Sequence, residues 1–230
     1  MFRRLRLVAV LLLCLSSGTL HAQPSMEELC TQGPLLYASG QLKLAFRIFM
    51  ACAIGGDSAS QYSAAMMMRS GESTESGWPN LFGARVFLEQ SASQGFPHAI
   101  YALGKEYDVG SPAFPHDVGQ ATELFRVAAM LGHVDAQVEL ATQYLLGRGG
   151  VPQDDHVAAQ WYERAAEAGH WGAQYLIASM YEHGNGVSRD EQAALHWYER
   201  AGQGGDEVAP LKVEQLRLRL ATKTRQLRLD

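Results

Sequence analysis

Residues 158–170 read AAQWYERAAEAGH, and the same order of apolar, small and glycine residues recurs in four other segments of this 230-residue chain. In each segment an apolar pair follows three positions after an alanine, a small pair follows four positions later, and a glycine comes next. The starting alanines are 39, 37, 37 and 36 residues apart: Ala45, Ala84, Ala121, Ala158 and Ala194. A period of this length with fixed internal features is typical of a repeat protein.

The spacing within each segment predicts a helix, because apolar residues three and four apart line one face of a helix. The glycine after the small pair is expected to end that helix, since glycine adopts the left-handed conformation without a Cβ penalty. A second helical pattern then leads to a further glycine in the first four segments: Gly71, Gly110, Gly147 and Gly184. Each unit is therefore predicted to be a helix pair that buries its apolar face only by stacking on its neighbours.

The best-patterned stretch is residues 158–170, continued by Ala-Gln-Tyr at 173–175 and by Tyr-Glu-His-Gly-Asn-Gly-Val at 181–187. It resembles the Sel-one-like repeat (SLR) family, a relative of the tetratricopeptide repeat (TPR). The resemblance covers residues 41–209 and extends faintly to 26–40. It implies an all-α fold, a right-handed α-solenoid of SLR/TPR-like helix-pair repeats, that serves as an adaptor or scaffold.

Four segments are expected along the chain. Residues 1–22 form a signal peptide, with a basic start, an apolar run at 7–15 and a cut before Gln23. A retained N-terminal anchor is the alternative, although the apolar run is short for a bilayer. Residues 23–40 form an N-terminal half repeat or cap, residues 41–209 about four and a half repeats, and residues 210–230 a basic C-terminal capping helix.

The charge is acidic overall but basic at the C-terminus. Without residues 1–22 the chain carries 16 Lys and Arg against 24 Asp and Glu, a net charge of −8, which argues against nucleic acid as a partner. Residues 207–230 carry six bases and three acids. This basic segment is either a contact site for a partner or a terminal helix that docks on acidic neighbours.

Only Cys30 and Cys52 remain once the signal peptide is removed. An even number of cysteines in an oxidising compartment favours a disulfide. The two cysteines lie 10 and 12 residues on either side of Gly40, the expected turn of an antiparallel helix pair, so they should be nearly level. Gly33-Pro34 is expected to break the first helix and to disturb this register. Two unpaired buried thiols are the alternative.

Two irregular connections and one helix face are the candidate partner-binding sites. The connections are Gly71–Asn80, which carries Trp78, and Gly110–His116, which carries Phe114. Each ring is either an exposed anchor for a partner or a cap folded over the core. The first helices are expected to line the concave side, and the candidate positions there are Arg126, Glu163 and Arg164.

The sequence contains no recognisable catalytic, cofactor-binding or metal-binding motif. Gly-x-Ser-x-Gly, His-Glu-x-x-His, the phosphate-binding Gly-x-x-x-x-Gly-Lys and zinc-type Cys/His spacings are absent. Ser-x-x-Lys, a motif of β-lactam chemistry, is also absent. We therefore predict that the chain is not an enzyme and needs no cofactor.

The resemblance and the signal peptide together predict a periplasmic, or secreted, protein-protein interaction module of a Gram-negative-like bacterium. Similar exported SLR proteins suggest two roles. One is immunity to a secreted toxin or effector, such as a phospholipase effector of type VI secretion. The other is the regulation or assembly of an envelope complex. A β-lactam-binding or hydrolysing protein is the alternative, which the missing motif disfavours.

Overall fold

The computed structural model describes residues 25–72 and 77–226. Within these ranges the chain forms eleven α-helices and no strand. They are α1 (Met26–Ala38), α2 (Leu42–Ile54), α3 (Ser58–Ser70), α4 (Leu81–Ser93), α5 (Pro97–Val109), α6 (Val118–Met130), α7 (Val134–Leu146), α8 (Asp155–Glu167), α9 (Trp171–His183), α10 (Glu191–Gln203) and α11 (Ala209–Gln226). The predicted signal peptide, residues 1–22, lies outside the described residues.

The helices follow the sequence repeat as pairs. Helix α1 is a leading half repeat, and the pairs are α2–α3, α4–α5, α6–α7, α8–α9 and α10–α11. The predicted all-α fold of helix-pair repeats is confirmed. Helix α11 packs on α10 in the place of a second helix, so the described chain contains five pairs and a leading half.

Polar caps and glycines set the helix ends. An aspartate or asparagine side chain accepts a backbone N–H at the start of α4, α6, α8 and α10, which satisfies a donor that the helix itself leaves open. Left-handed glycines end α3, α7 and α9, at Gly71, Gly147 and Gly184. The regular spacing of these glycines is the pattern that predicts the helix pairs from the sequence.

One backbone hydrogen bond recurs between consecutive pairs. The N–H of the capping residue of a first helix donates to a carbonyl near the end of the preceding second helix. The distances are 2.8 Å for Asn80 to Met68, 2.8 Å for Asp117 to Tyr107, 2.9 Å for Asp154 to Tyr144 and 2.9 Å for Asp190 to Tyr181. This bond fixes where each new pair begins relative to the last.

The described residues fall into two compact units that divide within α5. The first runs to Leu103 and includes Ser111–Pro115. Its core contains Ala45, Phe49 and Met67, with a smaller cluster formed by Leu29, Ile48 and Cys52.

A disulfide closes the N-terminal end of the first unit. Cys30 of α1 and Cys52 of α2 are bonded, with 5.8 Å between their Cα atoms, so the predicted pairing is confirmed. The expectation that Gly33-Pro34 breaks the first helix is wrong, because α1 continues through Pro34 to Ala38. Gly33 is buried against the ring of Phe49, and a side chain at this position would clash with that ring.

The second unit contains Gly104–Gly110 and the chain from His116 onward. Its core combines large buried side chains, including Tyr162, Ile177 and Tyr198, with many fully buried alanines. Alanines allow helix backbones to approach closely, and the three larger side chains fill the remaining space. This packing explains the small pair in every repeat.

Candidate interaction surfaces

Trp78 lies in the connection between α3 and α4 and is 76% exposed. The connection is anchored at both ends. Gly71 lies so close to Gly77 that a Cβ at Gly71 would clash with the carbonyl of Gly77. Asn80 bonds back to Met68 through its N–H and accepts the N–H of Gly83 through its side chain at 2.9 Å. Trp78 is therefore presented to solvent by an anchored loop.

Two further apolar side chains extend this exposed surface along α4. Phe82 is 66% exposed and Val86 is 51% exposed, and they lie one helical turn apart. We call Trp78, Phe82 and Val86 the α4 apolar patch. At the positions equivalent to Phe82 and Val86 the other repeats carry polar residues or glycine: Lys43 and Arg47, Gly119 and Glu123, His156 and Gln160, and Gln192 and His196. The patch is thus a departure that the repeat fold does not require.

Phe114 is 2% exposed, so its interpretation as an exposed anchor is wrong. The chain turns back between Ser111 and Phe114, whose backbones exchange hydrogen bonds of 2.7 and 3.0 Å. The guanidinium of Arg85 lies 5.2 Å from the centre of the Phe114 ring and donates to the carbonyl of Ala113 at 2.6 Å. The alternative interpretation, a ring folded over the core, describes Phe114.

The three first-helix candidates lie in the second unit and contact groups of their own chain. Arg126 pairs with Glu123, and this hydrogen bond raises the pKa of Arg126. Glu163 accepts a hydrogen bond from the Tyr181 hydroxyl at 3.0 Å. Burial, followed by this hydrogen bond, raises the pKa of Tyr181.

Arg164 stacks on an aromatic ring of the same helix. Its guanidinium lies 4.5 Å from the centre of the Trp161 ring, and Arg200 repeats the arrangement at 4.9 Å from Trp197. Cation–π contacts of this kind hold a long side chain in one position while leaving its charge accessible. The first-helix face of the second unit is therefore an ordered polar surface.

A buried carboxylate, Glu182, was not singled out from the sequence. It accepts a hydrogen bond from the Tyr198 hydroxyl at 3.0 Å, and it pairs with Lys212 at 3.3 Å and with Arg219. Burial alone would raise the pKa of Glu182, but the hydrogen bonds from Arg219 and Tyr198 and the charge of Lys212 outweigh it and lower the pKa. The basic C-terminal helix thus docks on acidic residues, Glu182 of α9 and Glu199 of α10. This agrees with the interpretation of the basic segment as a terminal helix on acidic neighbours.

The family model of the Sel1 repeat matches three consecutive segments of the chain, residues 97–133, 134–170 and 171–206. The chain is a Sel1-repeat protein. Sel1 repeats mediate protein–protein interaction.

Solved structures with the same fold include a Sel1 repeat protein from Oxalobacter formigenes. That protein is 31% identical over 76% of this chain and 49% of its own length, with a TM-score of 0.71. A protective antigen of uropathogenic Escherichia coli strains, which displays an SLR fold, is 23% identical over 82% of this chain and 40% of its own length, with a TM-score of 0.71. The chain spans half or less of the length of these two proteins.

An immunity protein from Pseudomonas aeruginosa is 18% identical over 84% of this chain and 70% of its own length, with a TM-score of 0.53. No curated protein matches the chain.

The Sel1 repeats also explain two histidines that recur at equivalent positions. His133 and His170 cap α7 and α9, where their Nδ1 atoms accept backbone N–H groups at 3.3 and 3.0 Å. Residues 25–72 and 77–226 contain no cluster of three potential metal ligands. In the same ranges no helix has the length and apolar character needed to cross a membrane.

Proposed function

We propose that this Sel1-repeat protein is a scaffold that binds another protein outside the cytoplasm, and that the α4 apolar patch is its main anchor for the partner. The observation that carries the proposal is the exposure of Trp78 in an irregular connection, together with that of Phe82 and Val86 at positions where the other repeats carry polar residues or glycine. Tryptophan and other large rings supply much of the binding energy of protein interfaces.

The disulfide supports the proposed location of the chain outside the cytoplasm. Bonds such as Cys30–Cys52 persist in the periplasm and in secreted proteins, whereas the cytosol keeps thiols reduced. The apolar run at residues 7–15, with its basic start, would supply the export signal.

Immunity to a secreted toxin is the role that we propose for this scaffold. The support is the shared fold with the Pseudomonas aeruginosa immunity protein, together with the export signal that the sequence predicts. Regulation or assembly of an envelope complex uses the same kind of surface, so the two roles are separated by the partner and not by the fold.

The test uses the exported chain with an affinity tag as bait, and mass spectrometry to identify the bound protein. Binding of that purified partner is then measured for Trp78→Ala. We expect affinity to fall by about thirtyfold, since loss of a central anchor costs about 2 kcal/mol or more. The melting temperature should hardly change, because Trp78 is exposed.

Trp171→Ala is the matched control. Trp171 is also exposed, at 50%, but it lies in the second unit, so its loss should leave affinity unchanged. Equal affinity of Trp78→Ala and the parent chain would refute the anchor. For the immunity role, a toxin partner should arrest growth when it is exported alone, and co-export of this chain should restore growth. Capture of an envelope component without such protection would instead indicate the regulatory role.

A further inference from the structure

Helix α11 occupies the place of a second helix in the fifth repeat. The Asp206 carboxylate accepts the N–H groups of Val208 and Ala209 at 2.9 and 2.8 Å, as the capping residues of the earlier second helices do. Arg217 stands 36 positions after Tyr181 and makes the equivalent contact. It donates to Glu199 at 2.6 Å, as Tyr181 donates to Glu163. The repeat register therefore continues into α11.

In the two preceding pairs, one stripe of the second helix contacts the first helix of the next pair. Thr142 of α7 bonds to Tyr162 of α8 at 2.9 Å. Tyr175 of α9 lies with its ring centre 5.2 Å from that of Tyr198 of α10, and Glu182 bonds to the same tyrosine. The stripe is Val138, Thr142 and Leu145 on α7, and Tyr175, Ser179 and Glu182 on α9.

The residues 36 positions after this α9 stripe are Leu211, Gln215 and Leu218, and they form the equivalent stripe of α11. No further helix covers this stripe among the described residues. Leu211 is 58% exposed and Leu218 is 64% exposed. A groove of about 920 Å³ lies beside the C-terminal part of the stripe, lined by Gln215, Leu218 and Thr222 of α11 and by Arg189 and Glu191.

The charges along the stripe indicate what fits it. An incoming first helix would run antiparallel to α11, as α8 does to α7, so its N-terminus would lie near the C-terminal part of α11. That part carries Arg219, Lys223 and Arg225. Arg219 pairs with Glu182, whereas Lys223 and Arg225 have no carboxylate partner within the described residues. A helix with an acidic first turn would complement these charges and the positive end of its own dipole.

We propose that the groove along α11 binds an acidic amphipathic α-helix of another protein, which takes the place of a sixth first helix. A second copy of this chain is disfavoured, because the first turn of its α11, which would lie beside Lys223 and Arg225 in this antiparallel arrangement, carries no acidic residue. The proposal rests on the proposed function only in that it assigns the chain a protein partner. Its site, in the second unit, is distinct from the α4 apolar patch.

The probe is a fluorescent peptide of residues 153–169, the sequence of α8 with its capping residues. In the chain itself this helix packs on the α7 stripe. That stripe has an apolar, a polar and an apolar residue in turn, and so has the stripe formed by Leu211, Gln215 and Leu218. The peptide has four acids and one base. Fluorescence anisotropy with the mature chain should show saturable binding that weakens with salt, and a scrambled peptide should not bind.

Two variants of the full chain test the stripe and the charge. Leu218→Glu should weaken peptide binding at least tenfold, and its control, Leu146→Glu, places the same change on an exposed leucine of α7. Lys223→Glu should weaken binding severalfold at low salt, whereas Arg47→Glu in the first unit should not. Because all four positions are exposed, we expect unchanged melting temperatures.

Absence of binding, equal binding of the scrambled peptide, or full affinity of Leu218→Glu would each overturn the proposal. A peptide that fails to bind while anionic phosphatidylglycerol vesicles bind α11 would show a membrane surface instead. Concentration-dependent dimers that Leu218→Glu abolishes would show that a second copy is the occupant. None of these results depends on Trp78, so failure here and failure of the proposed function are distinguishable.

Discussion

Glu182 is a single residue on which the docking of α11 depends. Because its pKa is lowered from 4.5 in the folded chain, the carboxylate stabilises the fold above that pH, and this contribution is lost as the pH falls through the folded-state pKa. Glu182→Gln should cost about 2 kcal/mol at pH 7, since hydrogen bonds to a charged group are lost. In a chain of this size that corresponds to a fall of about 4–8 °C in the melting temperature.

Thermal unfolding of Glu182→Gln and of the parent chain, at pH 7 and at a pH below the lowered pKa of Glu182, measures this effect. We expect the difference between them to shrink at the lower pH, because the parent carboxylate is then protonated. Glu214→Gln, on the exposed side of α11, is the control and should match the parent at both pH values. A difference that stays constant with pH would show that the Glu182 charge does not stabilise the fold.

Phe114 has a structural role, and its truncation should show it. Phe114→Ala removes a buried ring and its contact with Arg85, so we expect the free energy of unfolding to fall by about 3 kcal/mol or more. Denaturant unfolding measures the loss, and Trp78→Ala, with its exposed ring, should lie within about 0.5 kcal/mol of the parent. Similar stabilities for the two variants would contradict the assignment of Phe114 to the core.

These residues also show where sequence reasoning stops. Trp78 and Phe114 are both aromatic residues of irregular connections, and nothing local distinguishes them. Their different exposure follows from the turn at Ser111 and from the position of Arg85, which are tertiary features. Glu182 follows a repeat tyrosine in an ordinary helical pattern. Its burial depends on Lys212 and Arg219, about 30 and 37 residues further along the chain.

At the scale of elements, the disulfide ties a single leading helix to the first complete pair. A bond that closes a loop of 22 residues should contribute about 3 kcal/mol to stability. Cys30→Ser with Cys52→Ser should therefore lower the stability of the first unit. Hydrogen exchange should show the largest loss of protection in α1, which has no helix pair of its own.

The control for this prediction is α9, in the second unit, whose exchange should not change in the double variant. Equal loss of protection in α1 and α9 would show that the disulfide stabilises the chain globally. Unchanged protection of α1 would show that packing of Leu29 and Gly33 on α2 is sufficient.

The element boundaries were largely predictable, because they depend on local chemistry. Glycines spaced at the repeat period marked the ends of α3, α7 and α9, where a left-handed residue is needed. The break expected at Pro34 did not occur, since tertiary packing of Gly33 on Phe49 overrides the local preference against proline. The role of α11 as a second helix was hidden because its segment ends without the tyrosine and glycine of the other repeats.

At the scale of the whole molecule, export should produce a chain that begins at Gln23 and has no free thiol. Removal of residues 1–22 also removes Cys14, and Cys30 and Cys52 are bonded to each other. Intact-mass analysis of the exported protein, with thiol labelling after unfolding without reductant, measures both features. Retention of the first 22 residues would indicate an N-terminal anchor, and two labels per chain would contradict the disulfide.

The same backbone hydrogen bond joins Asp154 to Tyr144 and Asp190 to Tyr181. Its recurrence affects how the gene of such a repeat protein can change. Since neighbouring repeats meet through the same bond and equivalent helix faces, unequal recombination can delete or duplicate one whole pair and leave its junctions intact. A connection can change length while the bond is kept, since Asn80 lies 12 positions after Met68 but Asp190 lies 9 positions after Tyr181. Evolution of this chain should therefore proceed in steps of one helix pair, which is 36 to 39 residues here. Greater length would then add binding surface without a new fold.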